Sequence, residues 1–592
     1  MHLLTSDKSK NEGPMEIHTA LSKQPAVLLA CSTLSTDTNM TGTWRFVRPF
    51  HDEKTAPCGA ACPAGEDIAR IQMLTGRGAF RDAVETILLE NPFPATCGRV
   101  CFQFCEGACN RASFDDPVGI RYVERFLGDM ALAEGWARVP LKEPETPRKA
   151  AVIGAGPAGL SAAYFLGLLG WSCEVFEAAR EPGGLMRWGI PAYRLSKDVL
   201  QREVARILRL GIVIKYGRTV RPQDLARIRE EYDAVFVGCG LSRSIRLQIP
   251  GEDLALEGLD FLGRIRRGEV DAVSGTAAVI GGGNTAMDVA RSLVRLGAEP
   301  IIVYRRRRED MPAFEHEIIM ALEEGVRLME LVSPLKANRD GEDIILTLQE
   351  MRPAGVGPDG RARVAPDGER RQSLRVRSLF TALGSSAAPE WAPPAEQSQQ
   401  LLRLGHITIR NGPAPLVFGG DLTNETQSVT DAVASGKMAA LALDTCLEEG
   451  WERIIQSLGR ARVGPGPALS TESYLGGARA DRNRTVVSFE QLNMDYFQPL
   501  QRILPTIQSP EERRAGFSEI EGVYKKEEAR AEATRCFNCG ICNECDNCRI
   551  FCPEVAVEAG SGRRILLDYC KGCGICVVEC PRNALSLEEE AS

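Results

Sequence analysis

Residues 534–553 read TRCFNCGICNECDNCRIFCP, six cysteines where an iron–sulfur cluster motif needs four. The last four, Cys542, Cys545, Cys548 and Cys552, are spaced C-x2-C-x2-C-x3-C and followed by proline; Cys570, Cys573, Cys576 and Cys580 repeat the pattern. Two such runs, each closed by Cys-Pro, have the spacing of a bacterial two-[4Fe–4S] module, in which the fourth cysteine of each run ligates the other cluster. The spacing therefore predicts Cys542, Cys545, Cys548 and Cys580 around one cluster, and Cys570, Cys573, Cys576 and Cys552 around the other. A zinc ribbon needs only paired C-x2-C turns and leaves the doubled, proline-closed spacing unexplained. Cys536 and Cys539 are left without a partner.

The chain has 20 cysteines in 592 residues, six within 58–109 and ten within 536–580. Clusters this dense, without an export signal, read as metal ligands in a reducing compartment, so the expected location is the cytoplasm. The stretch PAVLLAC (25–31) is too short for a signal core of roughly 7–15 apolar residues. No apolar run approaches the roughly 18 residues of a membrane span. With a net charge of −8, a general nucleic-acid binder is not expected. Cys31, Cys173, Cys239 and Cys446 lie apart from the clusters and read as small buried hydrophobes.

Two glycine turns define the middle of the chain. KAAVIGAGPAGLSAAYFLG places Gly154, Gly156 and Gly159 between an apolar strand and an apolar helix, with Glu177 ending the next strand. Such a turn lets the backbone approach a pyrophosphate at the helix N-terminus, and an acid about 20 residues on meets a ribose hydroxyl. TAAVIGGGNTAMD repeats the arrangement with Gly281 and Gly283, and Asn284 and Thr285 open its helix. Its next strand ends in Tyr304-Arg305-Arg306, with no acid. Arginines at that strand end pair with a 2′-phosphate, which favours NADPH over NADH; the alternative for them is a solvated face.

Several motifs carry a resemblance. EPGGLMRWGIPAYRL (181–195) and FGGDLTNETQSVTDAVASGKMAA (418–440) resemble stretches of the small subunit of glutamate synthase. The resemblance implies FAD, with Gly184, Leu185 and Arg187 along the flavin and Gly420-Asp421 as a second flavin contact. PCGAACPAGEDI and NPFPATCGRVCFQFCEGAC resemble that family's N-terminal cluster domain, shared with dihydropyrimidine dehydrogenase. The family's opening CxxC helix is missing before Cys58, and KKEEARAEATRCFNC looks like that opening moved to the far end. The resemblance then implies Cys58, Cys109, Cys536 and Cys539 around one cluster. It implies Cys62, Cys101, Cys105 and Glu124 around a second, with Cys97 spare. The alternative is that the first of these sites is vacant and Cys536 and Cys539 lie beside it as free thiols.

The expected fold is an α/β two-dinucleotide-binding flavoprotein with Rossmann-like FAD and NADPH domains. An N-terminal α-helical iron–sulfur domain and a C-terminal ferredoxin-like α+β domain flank it. The expected boundaries are an arm at 1–50, the helical cluster domain at 51–148, FAD domain at 149–250 and 376–450, NADPH domain at 251–375, a linker at 451–533 and the ferredoxin module at 534–592. The expected function is an NAD(P)H:acceptor oxidoreductase passing electrons between NADPH, FAD and [4Fe–4S] clusters, to or from a ferredoxin or a larger catalytic subunit. The alternatives are a stand-alone ferredoxin–NADP reductase and a non-catalytic electron-transfer scaffold.

Overall fold

The computed structural model describes residues 40–590 apart from 144–145, 358–359, 395–397, 478, 480–481 and 561. The expectations for PAVLLAC, for Cys31 and for most of the N-terminal arm lie outside these residues.

The largest sheet has seven strands, in the order 401–404, 407–410, 416–418, 234–237, 149–153, 172–177 and 213–216. Its centre, Lys149–Ile153 and Ala234–Val237, is apolar almost throughout because helices cover both faces of a parallel sheet. Helix Pro157–Leu168 packs there against the twenty-residue helix Val429–Glu448.

A five-stranded sheet forms the inserted nucleotide domain, in the order 327–329, 299–303, 276–280, 378–381 and 256–257. A three-stranded antiparallel sheet, 332–340, 343–356 and 362–376, rides on it. Strand Ser378–Thr381 pairs with Thr276–Ile280, so the inserted domain runs past the expected boundary at 375. The return strand is short and apolar like those of the first sheet, and only its pairing assigns it.

Among the described residues six helices, the longest Ile120–Glu134, build the N-terminal cluster domain. Three buried carboxylates fix it to the rest. Glu203 accepts from the N–H groups of Ala95 and Thr96 at 2.8 and 3.0 Å, placing a negative charge at the N-terminus of helix Pro94–Val100. Glu90 pairs with Lys437 of the long FAD-domain helix at 2.5 Å. Glu532, on helix Lys526–Thr534, accepts from Gly119 N at 2.8 Å.

The two chain ends meet. Val47–His51 pairs antiparallel with Leu585–Glu589, so residues 47–50, expected in a surface arm, form an edge strand of the C-terminal module. A five-residue strand containing Pro49 has no local signal strong enough to announce a partner more than 500 residues away. The charged stretch 511–535, which reads as one helix, is broken into Pro510–Arg514 and Lys526–Thr534. The segment between them is a strap. Glu519 pairs with Arg99 and Arg125 of the cluster domain, both at 2.8 Å. Arg295 of the nucleotide domain donates to Gly516 O at 3.1 Å.

Candidate redox site

The first glycine turn is built for close approach. A Cβ on Gly159 would lie 1.9 Å from Gly154 O, so only glycine lets the helix start this near the strand. A Cβ on Gly156 would meet nothing nearer than Gly184 Cα at 3.9 Å, leaving that face of the turn open. Glu177 stands over the turn and accepts from the N–H groups of Ala155 and Ala179, both at 2.7 Å. Gly184 lies against Gly156, and Leu185 is an exposed large hydrophobic residue beside it. Arg187 is buried and committed to its own loop, donating to Pro182 O at 2.6 Å and pairing with Glu181. Its guanidinium therefore supports the loop instead of reaching along the cleft.

The second flavin-side turn carries polar groups that lack partners. Gly420 N donates to Ser435 Oγ at 2.7 Å, whereas the Asp421 carboxylate has no protein hydrogen bond among the described residues. Burial, reinforced by Asp431, pushes its pKa up to about 6. His406 Nδ1 and Asn424 Oδ1 are 3.1 Å apart, while His406 Nε2 and Asn424 Nδ2 are buried and unpaired. Unpaired buried polar atoms are costly, and a polar ligand in this cleft would satisfy them. The residues present fit FAD.

At the second nucleotide turn, Gly281 has φ +148° and a Cβ there would lie 2.3 Å from Ala382 O. Gly283 has open space where a Cβ would be, and helix Asn284–Arg295 starts directly after it with Thr285 in its first turn. Asn284 Oδ1 accepts from Phe314 N at 3.1 Å. The four arginines that follow the next strand divide into two kinds. Arg307 pairs with Glu309 and Asp310, and Arg308 with Glu315, whereas Arg305 and Arg306 have no ion pair among the described residues. Arg306 Nε is buried without a partner. The two arginines singled out by the sequence are the two left free for an anion.

The cysteines assemble into four sets. One cavity is lined by Cys542, Cys545, Cys548 and Cys580, and a second by Cys552, Cys570, Cys573 and Cys576, the crossed pairing that the spacing predicts. Helix Lys526–Thr534 packs on Ile68–Gly76 and delivers Cys536 and Cys539 beside Cys58 and Cys109. Burial, then the proximity of those three other thiols, pushes the Cys58 pKa far up. The fourth set is Cys62, Cys101, Cys105 and Glu124: burial and the nearby Glu66 raise Cys62, and burial and Glu124 raise Cys101 to about 12. Cys105 also feels Cys58, so the two N-terminal sets are neighbours. Among the described residues no three His, Cys, Asp or Glu side chains converge tightly enough for a single ion. In the C-terminal module the sulfurs are arranged around cavities, as a cubane with its ligands on the outside demands, and in the N-terminal domain the buried thiols lie close enough to feel one another; the donor sets fit [4Fe–4S] clusters.

Sequence reasoning missed several side chains around these sets. Asn91 donates to Glu66 at 2.8 Å and to Glu124 at 3.1 Å, and Cys97 lies in the same chamber. Burial raises Glu66 to about 7 and pushes Glu124 up with it. Thr430, in the first turn of the long FAD-domain helix, donates to Cys101 Sγ at 3.2 Å. Arg194 joins the two nucleotide domains through Asp288 at 2.9 Å and Glu317 at 3.2 Å. A narrow cleft lined by Cys101, Gln103, Tyr193, Arg194, Phe314 and His316 lies where three domains meet. Such long-range contacts leave no local pattern. Of the scattered cysteines, Cys173 is buried, Cys446 half-buried and Cys239 exposed, so burial does not hold for all of them.

Residues 148–436 match the pyridine nucleotide-disulphide oxidoreductase family. Residues 51–136 match the dihydropyrimidine dehydrogenase domain II 4Fe-4S family, and 564–586 the 4Fe-4S binding domain. Over 522 residues the chain is 30% identical to the NADP(+)-dependent formate dehydrogenase subunit beta of Moorella thermoacetica, covering 82% of this chain and 70% of that one. The chain belongs to the family of FAD- and iron–sulfur-dependent pyridine nucleotide oxidoreductases. Another relative of this oxidoreductase is the NAD-dependent dihydropyrimidine dehydrogenase subunit PreT of Salmonella typhimurium, 32% identical over 67% of this chain and 92% of that one. The NADPH-Fe(3+) oxidoreductase subunit beta of Geobacter sulfurreducens is 36% identical over 54% of this chain, which spans only 49% of that relative. Among solved structures, Mycobacterium tuberculosis FprA in complex with NADPH aligns with 66% of this chain and 100% of its own at 17% identity, with a TM-score of 0.44. The oxidoreductase uses FAD, NAD(P)H and [4Fe–4S] clusters. No helix among its described residues is long and apolar enough to cross a membrane.

Proposed function

We propose that this oxidoreductase is the nucleotide-side electron-transfer subunit of a larger cytoplasmic redox enzyme, exchanging electrons between NADPH and a ferredoxin or a catalytic subunit. The observation that carries this reading is the continuity of the cysteine sets. Thr430 links the flavin-side helix to Cys101, Cys105 neighbours Cys58, and only two residues separate Cys539 from Cys542. Bound FAD supplies the exchange between a hydride's electron pair and single electrons, and the clusters supply a single-electron path.

The chain's own residues bind and orient. Gly154, Gly156, Gly159 and Glu177 hold the adenosine side of FAD; Gly184, Leu185, Gly420 and Asp421 hold the flavin side; Arg187 fixes the loop between them. Gly281, Gly283, Asn284 and Thr285 seat the nicotinamide nucleotide's pyrophosphate. Arg305 and Arg306, free of carboxylates, bind the 2′-phosphate that distinguishes NADPH from NADH. The sixteen ligands are the twelve cysteines of three complete sets together with Cys62, Cys101, Cys105 and Glu124. Relatives that are themselves subunits support a partner of the same kind.

The test is anaerobic oxidation of NADPH and NADH by the purified chain with a viologen dye, followed by native pull-down. The reading expects dye reduction preferring NADPH and a stoichiometric redox partner. Dye reduction without a stoichiometric partner would make the chain a free-standing reductase. No dye reduction by a chain with full iron and flavin would make it a scaffold.

A further inference from the structure

The cysteine sulfurs in the four sets do not all receive hydrogen bonds of the same kind. In the C-terminal module the donors to Cys552, Cys570 and Cys580 are the backbone N–H groups of Ala556, Gly572 and Ala584, at 3.3, 3.4 and 3.3 Å. These follow from the local turn and would be present whatever the side chains. In the N-terminal pair of sets, two sulfurs are met by side chains from elsewhere: Thr430 Oγ1 at 3.2 Å from Cys101 Sγ, and Asn110 Nδ2 at 3.5 Å from Cys539 Sγ. Thr430 comes from 329 residues away in sequence.

Thr430 is also held unusually firmly. Its residue is 2% exposed. It occupies the first turn of Val429–Glu448, whose Ser428 cap accepts from Asp431 N at 3.0 Å. One turn on, Val433 O accepts from Ser161 Oγ at 2.8 Å, pinning the start of this helix to the helix that follows the first glycine turn. The hydroxyl therefore belongs to the flavin-side scaffold and its hydrogen bond to the cluster side.

We propose that Thr430 sets the reduction potential of the cluster held by Cys62, Cys101, Cys105 and Glu124, and so the driving force of the first electron transfer away from the flavin. The proposal rests on the assignment of that cluster. The physical basis is general. A hydrogen bond to a ligating sulfur stabilises the more negatively charged, reduced cluster more than the oxidised one, and so raises its potential. The positive end of a long helix dipole acts in the same direction. Thr430 is a positioning and tuning residue: it touches a ligand's sulfur and takes no part in hydride transfer.

The experiment is EPR-monitored potentiometry on the full chain, purified anaerobically, as wild type, Thr430→Val, Thr430→Ser and Cys101→Ala. Valine keeps the shape and removes the donor; serine keeps the donor. The expected result is a lower midpoint potential for one cluster in Thr430→Val, with iron and FAD content unchanged and the remaining clusters unmoved, and a potential near wild type in Thr430→Ser. An unchanged potential in Thr430→Val at full iron content would overturn the proposal, as would an equal fall in both variants. Cys101→Ala tests the assignment separately: if it loses no iron and no EPR signal, the cluster is not where this reading puts it, whatever Thr430→Val shows.

Discussion

Replacing Cys536 and Cys539 together by serine probes the junction between the chain's two ends. Cys539 is buried and Cys536 half-buried beside Cys58 and Cys109, and desolvation, with the neighbouring thiols, raises both pKa values. They arrive on helix Lys526–Thr534, which is anchored independently of any metal: Glu532 accepts from Gly119 N and Ile503 N, both at 2.8 Å, and Arg535 pairs with Asp115 at 3.1 Å. The substitution should therefore leave the fold intact and empty one site. Four filled cubane sites hold about sixteen irons per chain, so the variant should retain about twelve. The emptied site lies between the flavin-side set and the C-terminal module, so the functional loss should exceed the iron loss. NADPH should still bleach the flavin absorbance at close to the wild-type rate, while reduction of the C-terminal clusters by NADPH falls at least about tenfold. Dithionite, which needs no internal route, should reduce them normally. Iron analysis, stopped-flow absorbance and EPR read the three quantities. A variant that keeps all its iron, or one that loses four irons and still reduces its C-terminal clusters with NADPH at the wild-type rate, would refute the reasoning.

Other perturbations have equally direct outcomes. On the proposed reading, Arg305→Ala and Arg306→Ala each remove a hydrogen bond to the 2′-phosphate worth about 1.5–3 kcal/mol, so KM for NADPH should rise roughly 10- to 100-fold per arginine with KM for NADH little changed; steady-state kinetics with both nucleotides checks this. Gly159→Ala forces a Cβ to within 1.9 Å of Gly154 O and should yield a chain without FAD, visible as a missing flavin spectrum. Asp421 has a folded-state pKa raised to about 6 from 3.8, so the FAD-free fold holds an extra proton between those values and loses stability as pH rises through 6; the melting temperature of the FAD-free chain should fall across that window and flatten in Asp421→Asn. Arg194→Met leaves Asp288 buried without its ion-pair partner, while Glu317 keeps Arg291; the cost of about 3–5 kcal/mol for the stranded carboxylate would be reported by thermal unfolding of the nucleotide domain.

What the sequence made legible was the chemistry with a fixed pitch. A cubane needs thiolates at set intervals and a pyrophosphate needs glycines at a strand–helix junction, so both sites could be located from spacing. Cys536 and Cys539 exceed what one motif can use, and it is the resemblance of KKEEARAEATRCFNC to the family's opening helix that implies a place for them beside Cys58 and Cys109. The parts that stayed hidden are those set by contacts between distant segments. Val47–His51 pairs with Leu585–Glu589 through backbone groups that any sequence offers. The strap at 515–521 looks like a continuation of a charged helix, and its carboxylates have meaning only beside Arg99, Arg121 and Arg125. Arg187 was placed along the cleft by resemblance, but its guanidinium is used within the loop, a distinction that depends on a rotamer. Thr430 carries no signal at all in sequence, since a threonine in the first turn of a helix is an ordinary capping-region residue.

The central claim is a continuous internal path from the nicotinamide nucleotide to the C-terminal module. The most direct measurement is freeze-quench EPR of the wild-type chain mixed anaerobically with NADPH alone. Signals from the clusters of Cys542–Cys580 and Cys570–Cys552, appearing after the flavin is reduced and without any mediator, are the predicted result. C-terminal clusters that dithionite reduces but NADPH leaves silent, once their potentials are known to be within reach of the flavin, would contradict it.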